Sequence, residues 1–227
     1  MSVDVDDLPA RLGAFDTCAL SDALDSLGLP GCVTGLVATL PGQRIHGRCH
    51  TVKLAEGAPP PGAPVRHLGA AAIDAAAVGE IIVVEQATGR DAGCWGGILS
   101  RGAQIRNIAG VIAEGPVRDV DEAREIGFPI FCRAFTAFTA RARVHEAATD
   151  VPIRVGDMRV EPGMIVVADS SAVIFIAQAD AGRVLAAVTR IAAREAEMIR
   201  RLEAGESASG VLGANYEHML RGPSSDD

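Results

Sequence analysis

Lysine is almost missing from this 227-residue chain: Lys53 is the only one, and arginine carries the rest of the positive charge. Chemistry through a lysine imine therefore has a single side chain to use, and the plain alternative for Lys53 is a charge at a strand edge. Positive charge as a whole is in the minority. The formal net charge of −8 argues against direct binding of nucleic acid over a broad basic face. A small anionic ligand is still compatible, because a few arginines in one pocket dominate the local field. No apolar run is long enough to span a bilayer, and no charged segment followed by an apolar run opens the chain. A cytoplasmic protein without a membrane partner is expected.

Other absences narrow the chemistry. The five cysteines (Cys18, Cys32, Cys49, Cys94, Cys132) are odd in number and lack C-x-x-C spacing, which fits a reducing compartment and neither a disulfide framework nor a zinc cluster. His46, His50, His67, His145 and His218 show no metal-ligand spacing. Ser170 and Ser171 lack the G-x-S-x-G context of a serine hydrolase. The glycine-rich nucleotide signatures are absent as well.

What is present is a hydrophobic chain (48%) able to bury a full core. "DTCALSDALDSLG" reads as a helix with Asp16 or Thr17 as its cap and Gly28 as its stop. "RIHGRCHTVKL" reads as a strand, "GAPPPGAP" as a loop, and "HLGAAAIDAAAVGE" as a helix ended by Gly79. "IIVVE", "GVIA" and "PIFCR" read as buried strands alternating with helices in "CWGGILSRGAQIR" and "DVDEAREIG". That alternation predicts parallel α/β pairing over residues 79–133. After residue 150, short strands between Gly, Pro and Ser turns predict an antiparallel segment. A long helix over about 180–203 follows, with Val184, Leu185, Val188, Ile191, Ala192, Ile199 and Leu202 on one stripe. One domain over residues 1–205 with a tail over 206–227 is expected.

Two constellations invite chemistry. "AEGPVRDVDE" sets Glu114, Arg118 and Asp119 around a Gly-Pro turn after a buried strand, where α/β folds bind ligands. Arg118 can grip a carboxylate in a fork, and Asp119 offers hard oxygens for Mg²⁺ or Mn²⁺. On spacing alone, Asp119 as the cap of the next helix is the favoured reading. Gly96 and Gly97 open a helix whose free amides can receive a carboxylate, or else they allow close packing. Cys94 and Cys132 flank these residues and read as small buried side chains rather than nucleophiles.

"SDALDSLGLPG", "WGGILSRGAQIRNIAGVIAEGPVRDVDEAREIGFPIFCR" and "VEPGMIVVADSSAVIFI" together resemble the RraA-like family over roughly residues 14–205. That family includes the 4-hydroxy-4-methyl-2-oxoglutarate/4-carboxy-4-hydroxy-2-oxoadipate aldolases and the RraA regulators of ribonuclease E. The resemblance implies a swivelling β/β/α sandwich with mixed parallel and antiparallel strands, assembled as a homotrimer or homohexamer. It implies a lyase that cleaves a 4-hydroxy-2-oxo acid to pyruvate or decarboxylates oxaloacetate. The alternatives it carries are a non-catalytic regulator of an RNA-degradation enzyme and a lyase for another substrate.

By the same resemblance, Arg118 grips the pyruvyl group, Asp119 binds Mg²⁺ or Mn²⁺, and the amides of Ile98 and Leu99, behind Gly96 and Gly97, hold the substrate carboxylate. Glu197 of a neighbouring subunit, or Glu195, supports metal-bound water. The chain departs from the family at Gly97, where the aldolases usually carry an acidic residue that helps hold metal-bound water. It departs also at Glu114-Gly115, Pro162-Gly163-Met164 and Asp169-Ser170-Ser171-Ala172-Val173. Glu114 or Asp91 is the expected replacement for the carboxylate missing at Gly97.

Overall fold

A computed structural model describes residues 7–62 and 67–213. The chain starts with α1 (Leu8–Gly13) and α2 (Thr17–Ser26). Of the two candidates, Asp16 is the cap: its Oδ1 accepts from the Ala19 amide at 2.8 Å. Gly28, at φ +63°, ends the segment in a conformation that strains any residue with a Cβ. Short strands β1 (Cys32–Val33) and β2 (Val37–Ala38) lead into the long β3 (Ile45–Glu56). The expected alternation follows as α3 (Ala70–Ala75), β4 (Ile81–Glu85), α4 (Gly97–Ile105), β5 (Gly110–Val117), α5 (Val120–Glu125) and β6 (Ile130–Phe135). The last third holds β7 (Val144–Thr149), β8 (Ile153–Val155), β9 (Met158–Val160), β10 (Ile165–Ala168), β11 (Val173–Ile176), α6 (Ala181–Glu203) and α7 (Ala208–Val211).

Two boundaries differ from expectation. The alanine-rich helix stops well short of Gly79, because Ala76 turns extended at ψ 140°. β5 continues past "GVIA" through Gly115 and Pro116, with its pairing to β6 shifted between Ala113 and Pro116. Arg118 and Asp119 therefore follow directly on the carboxyl end of a strand. Of the expected tail, residues 206–213 include α7, capped by Ser207 through the Gly210 amide. Residues 214–227, with His218, lie outside the described residues, as do residues 63–66 of the proline-rich loop.

Among the described residues one nine-stranded sheet runs β1-β11-β10-β3-β4-β5-β6-β2, with β7 also on β3. β4, β5 and β6 are parallel, as the alternation predicts. β8–β9 and β10–β11 are antiparallel hairpins. β3 belongs to both systems: Ile45–Arg48 pair antiparallel with β10, and Cys49–Lys53 run parallel with β4. Its far end turns to β7 after a register shift at Lys53/Leu54.

Three apolar clusters hold this arrangement. α3, α4 and α5 cover one face of the parallel strands through Ile73, Leu99 and Ala123. Val83, Ile112 and Phe131 on the other face meet Ile153 and Val160 of the β8–β9 hairpin. α1, α2 and α6 pack on β10 and β11 through Leu12, Leu20 and Val188. The α6 stripe is buried only in its first half: Val184, Leu185, Val188 and Ile191 are inside, whereas Ile199 and Leu202 are exposed at 55% and 39%. The second half of the helix is thus the less buried one among the described residues.

Asp169, in the turn between β10 and β11, ties that hairpin to α2. Its carboxylate accepts from the Thr17 amide at 2.9 Å, from Thr17 Oγ1 at 2.6 Å and from the Ser171 amide at 2.9 Å. Burial pushes its pKa up, but the hydrogen bonds from Thr17 and the turn amides outweigh that and hold it below the ordinary value. A lowered carboxylate pKa gives stability that is present above the unfolded value, about 4, and lost as pH falls through the folded one. Asp169→Ala is expected to cost about 1–2 kcal/mol at neutral pH. It should also flatten the fall in urea midpoint below about pH 4; an unchanged acid profile rejects this role.

Candidate active site

The end of β5 and the start of α4 are stitched together by backbone hydrogen bonds. Cys94 N donates to Pro116 O at 2.9 Å and Arg118 N to Trp95 O at 3.0 Å. The indole of buried Trp95 donates to Ser100 Oγ at 3.1 Å, and that hydroxyl donates to Gly96 O at 3.0 Å. Gly96 precedes α4 in an extended conformation and Gly97 is its first residue. The N-terminus of α4 is thereby fixed beside the Arg118–Asp119 turn, although the two lie more than twenty residues apart in sequence.

Asp119 has φ +56° and ψ +39°, a left-handed conformation rare for a residue with a side chain. Its carboxylate makes no capping bond to α5, so the cap favoured by spacing is corrected by the structure. Oδ2 accepts instead from Gly97 N at 3.1 Å and from Arg118 Nε at 3.2 Å. The Asp119 side chain thus caps α4, a different helix, where its charge meets the positive end of the helix dipole. Among the described residues, no hydrogen bond engages the terminal nitrogens of Arg118, nor the Ile98 and Leu99 amides.

Glycine is required here by close approach. A Cβ on Gly96 would lie 2.8 Å from Asp119 Oδ2 and 3.1 Å from Arg118 Cγ, and one on Gly93 would lie 3.0 Å from Arg118 Cγ. Close packing and site-building, posed as alternatives by the sequence, are one arrangement: the glycines pack against the Arg-Asp pair itself. A cavity of about 570 Å³ opens on this surface, lined by Gly96, Gly97, Ile98, Leu99, Arg118 and Asp119. Its lining also includes His67, Arg141, His145 and Glu146, to which the sequence assigned no role. The Arg118 and Asp119 side chains are 38% and 31% exposed, open enough to meet a ligand and shielded enough to strengthen charge interactions.

Other expected residues sit elsewhere. Glu114 does not line the cavity: it pairs with Arg133, whose Nε donates to Glu114 Oε2 at 2.9 Å and whose Nη1 donates to Thr34 O at 2.6 Å. Asp91 is exposed and also outside the cavity. Neither is brought to Gly97. The carboxylate that does reach Gly97 is Glu122, three residues after Asp119 on α5, with Oε2 where a side chain at position 97 would start. Helical i, i+3 spacing from Asp119 was the available signal for it.

On α6, Glu195 turns toward α2, where burial, then Asp16 and Asp22, push its pKa up. Glu197 is exposed and pairs with Arg200. Neither lines this chain's own cavity. Cys94 and Cys132 are buried, and burial drives their thiol pKa values upward, to about 12 for Cys132, so both are packing residues. His50 lies on β3 with Nδ1 4.0 Å from Glu80, away from the cavity.

A family model described as RraA-like, Aldolase/RraA, matches residues 17–175. The chain belongs to the RraA-like family. The matched span contains every residue of the cavity wall built by α4 and by the Arg118–Asp119 turn. Relatives of this RraA-like chain include protein DlpA of Legionella pneumophila, 28% identical over 177 residues, which cover 77% of this chain and 28% of DlpA. A 4-hydroxy-4-methyl-2-oxoglutarate aldolase of Thermus thermophilus is 29% identical over 104 residues, 46% of this chain and 63% of the relative. The RraA-like chain thus spans less than two thirds of either relative's length. Among solved structures, Streptomyces coelicolor RraAS2, an unusual member of the RNase ES inhibitor RraA protein family, superposes with a TM-score of 0.74 over 86% of this chain and 96% of that one. At 23% identity that likeness is one of fold: the mixed parallel and antiparallel RraA-like sheet. Among the described residues no helix is long and apolar enough to cross a membrane.

The left-handed backbone separates two substitutions at Asp119. Asparagine tolerates that conformation and can still accept from Gly97 N, whereas alanine does neither. Asp119→Ala is expected to lose about 1–2 kcal/mol of stability and Asp119→Asn only a few tenths, read by thermal or urea unfolding. Equal losses in the two variants refute the capping role.

Proposed function

We propose that this RraA-like chain is a divalent-metal-dependent lyase acting on 2-oxo acids. It cleaves a 4-hydroxy-2-oxo acid by retro-aldol reaction to pyruvate, and it decarboxylates oxaloacetate at the same site. The observation that carries this reading is the convergence of the Asp119 carboxylate, the Arg118 guanidinium and the open amides of α4 on one cavity. Both reactions break a bond β to a ketone and leave enolate charge, so one charge-stabilising site serves both.

The residues fit Mg²⁺ or Mn²⁺. Among the described residues no three His, Cys, Asp or Glu side chains form a cage. Mg²⁺ does not need one, since it keeps several waters and takes other ligands from one or two carboxylates and the substrate. Asp119 would hold the ion, which supplies Lewis acidity toward the 2-oxo group. Arg118 binds the pyruvyl end with its two terminal nitrogens and adds fixed positive charge where enolate charge develops. The Ile98 and Leu99 amides receive the substrate carboxylate at the positive end of α4. Lys53 supports the metal route over an imine: it is the sole lysine, lies 3.8 Å from Glu85 Oε1, and does not line the cavity.

The working unit is a homo-oligomer, trimer or hexamer, in the cytoplasm, in which Glu197 from a neighbouring copy would support the ion held by Asp119. Support comes from the less buried half of α6, with Ile199 and Leu202 exposed, and from Ile98, 84% exposed in the cavity lining. Leu202→Asp is expected to shift the protein to smaller species in light scattering after gel filtration; an unchanged mass removes that face from the interface.

The activity is tested by coupled pyruvate release from a panel of 4-hydroxy-2-oxo acids and oxaloacetate, with and without Mn²⁺. Turnover that needs the metal is expected, with kcat/KM down roughly 10²–10³-fold in Arg118→Ala. No pyruvate from any substrate, with or without Mn²⁺, overturns the proposal.

A further inference from the structure

Position 97 carries a glycine that its backbone does not need. Gly97 is outside the left-handed region and is the first residue of α4, where any residue is accommodated. Only the space beside it is taken. A Cβ there would overlap Glu122 Oε2, lie 2.8 Å from Glu122 Cδ and lie 3.2 Å from Asp119 Cβ. All three are side-chain atoms of Glu122 and Asp119, and the severe clash is with the tip of one flexible carboxylate.

Glu122 is not parked there by a partner. Among the described residues its carboxylate makes no hydrogen bond or ion pair, while Arg124 of the same helix donates to Asp121 and to Thr39 O. It stands instead at the positive end of α4, beside Gly97, on the side where the Asp119 Cβ also lies. Glu122 does not itself line the cavity, but around Gly97, which does, stand two carboxylates, Asp119 and Glu122, and one guanidinium, that of Arg118, which leaves one negative charge over. A divalent cation satisfies that balance, and hard carboxylate oxygens are its natural ligands.

We infer that Glu122 is the second carboxylate of the metal centre: it reaches through the space left open at Gly97 and holds a water on the ion that Asp119 binds. Gly97 and Glu122 are thus one functional unit, in which the missing side chain of one makes room for the charge of the other. The inference rests on the metal-dependent reading above and adds to it a residue on α5, a positioning residue acting through water.

The experiment is Mn²⁺ affinity of the intact protein, by electron paramagnetic resonance or calorimetry, without substrate. Asp119→Asn reports on the metal site itself and is expected to lose binding. Glu122→Gln is expected to weaken Mn²⁺ about 10-fold, the scale of a residue that orients a metal's outer ligands. Gly97→Ala should give the same loss by displacing Glu122, and the double variant should lose no more than either single one. Gly97→Asp placed on Glu122→Gln should restore affinity, which a merely structural role for Glu122 does not produce. Glu122→Gln that binds Mn²⁺ like the wild type, while Asp119→Asn has lost it, overturns this assignment and leaves the metal reading intact. Wild-type protein that binds no Mn²⁺ overturns both.

Discussion

The hydrogen bond from the Gly97 amide to the Asp119 carboxylate is the contact on which the rest of the site depends. It joins the start of α4 to the end of β5. Asp119 makes it from a left-handed backbone that costs about 1–3 kcal/mol, and the bonds to Gly97 and Arg118 offset that strain. From this one constraint come the glycines at 93, 96 and 97, each of which would otherwise meet Arg118, Asp119 or Glu122. The same bond leaves the next two amides of α4 open toward the cavity. Strain, glycine content and free donors are consequences of a single side-chain direction.

The sheet sets the stage for that contact in a general way. Parallel strands β4, β5 and β6 deliver their carboxyl ends to one edge, and the loops that follow them are where chemistry collects. The antiparallel hairpins supply bulk and a floor: β8–β9 packs under the parallel strands, while β10–β11 carries α1, α2 and α6. The candidate site thus lies in one part of the sheet and much of the helical mass in the other.

The parts legible in the sequence were those set by local pattern. Short apolar runs marked β4, β5 and β6, the Gly and Pro turns marked the late hairpins, and Asp16 and Gly28 bracketed α2. Arg118 and Asp119 were legible as a pair, and the family resemblance named their roles, but not what Asp119 touches. That required knowing that α4 returns to the end of β5. The surroundings of Glu114 were hidden for the same reason: its partner, Arg133, lies on the neighbouring strand. Glu122 was overlooked because its i, i+3 spacing from Asp119 says that it shares a helix face with Asp119, not that it fills the space beside Gly97. The apolar stripe of α6 was correctly traced, yet periodicity cannot say that Ile199 and Leu202 in its second half are exposed among the described residues.

β3 has a consequence for how the protein is made. Its first residues, Ile45–Arg48, find their antiparallel partner only in Ile165–Ala168, more than a hundred residues later. A chain emerging from the ribosome can assemble the parallel block early, but it carries an unpaired strand edge until the last third has been synthesised. An open edge is a template for pairing with other chains. Nascent copies growing side by side are therefore at risk of joining through β3 before β10 arrives to close it.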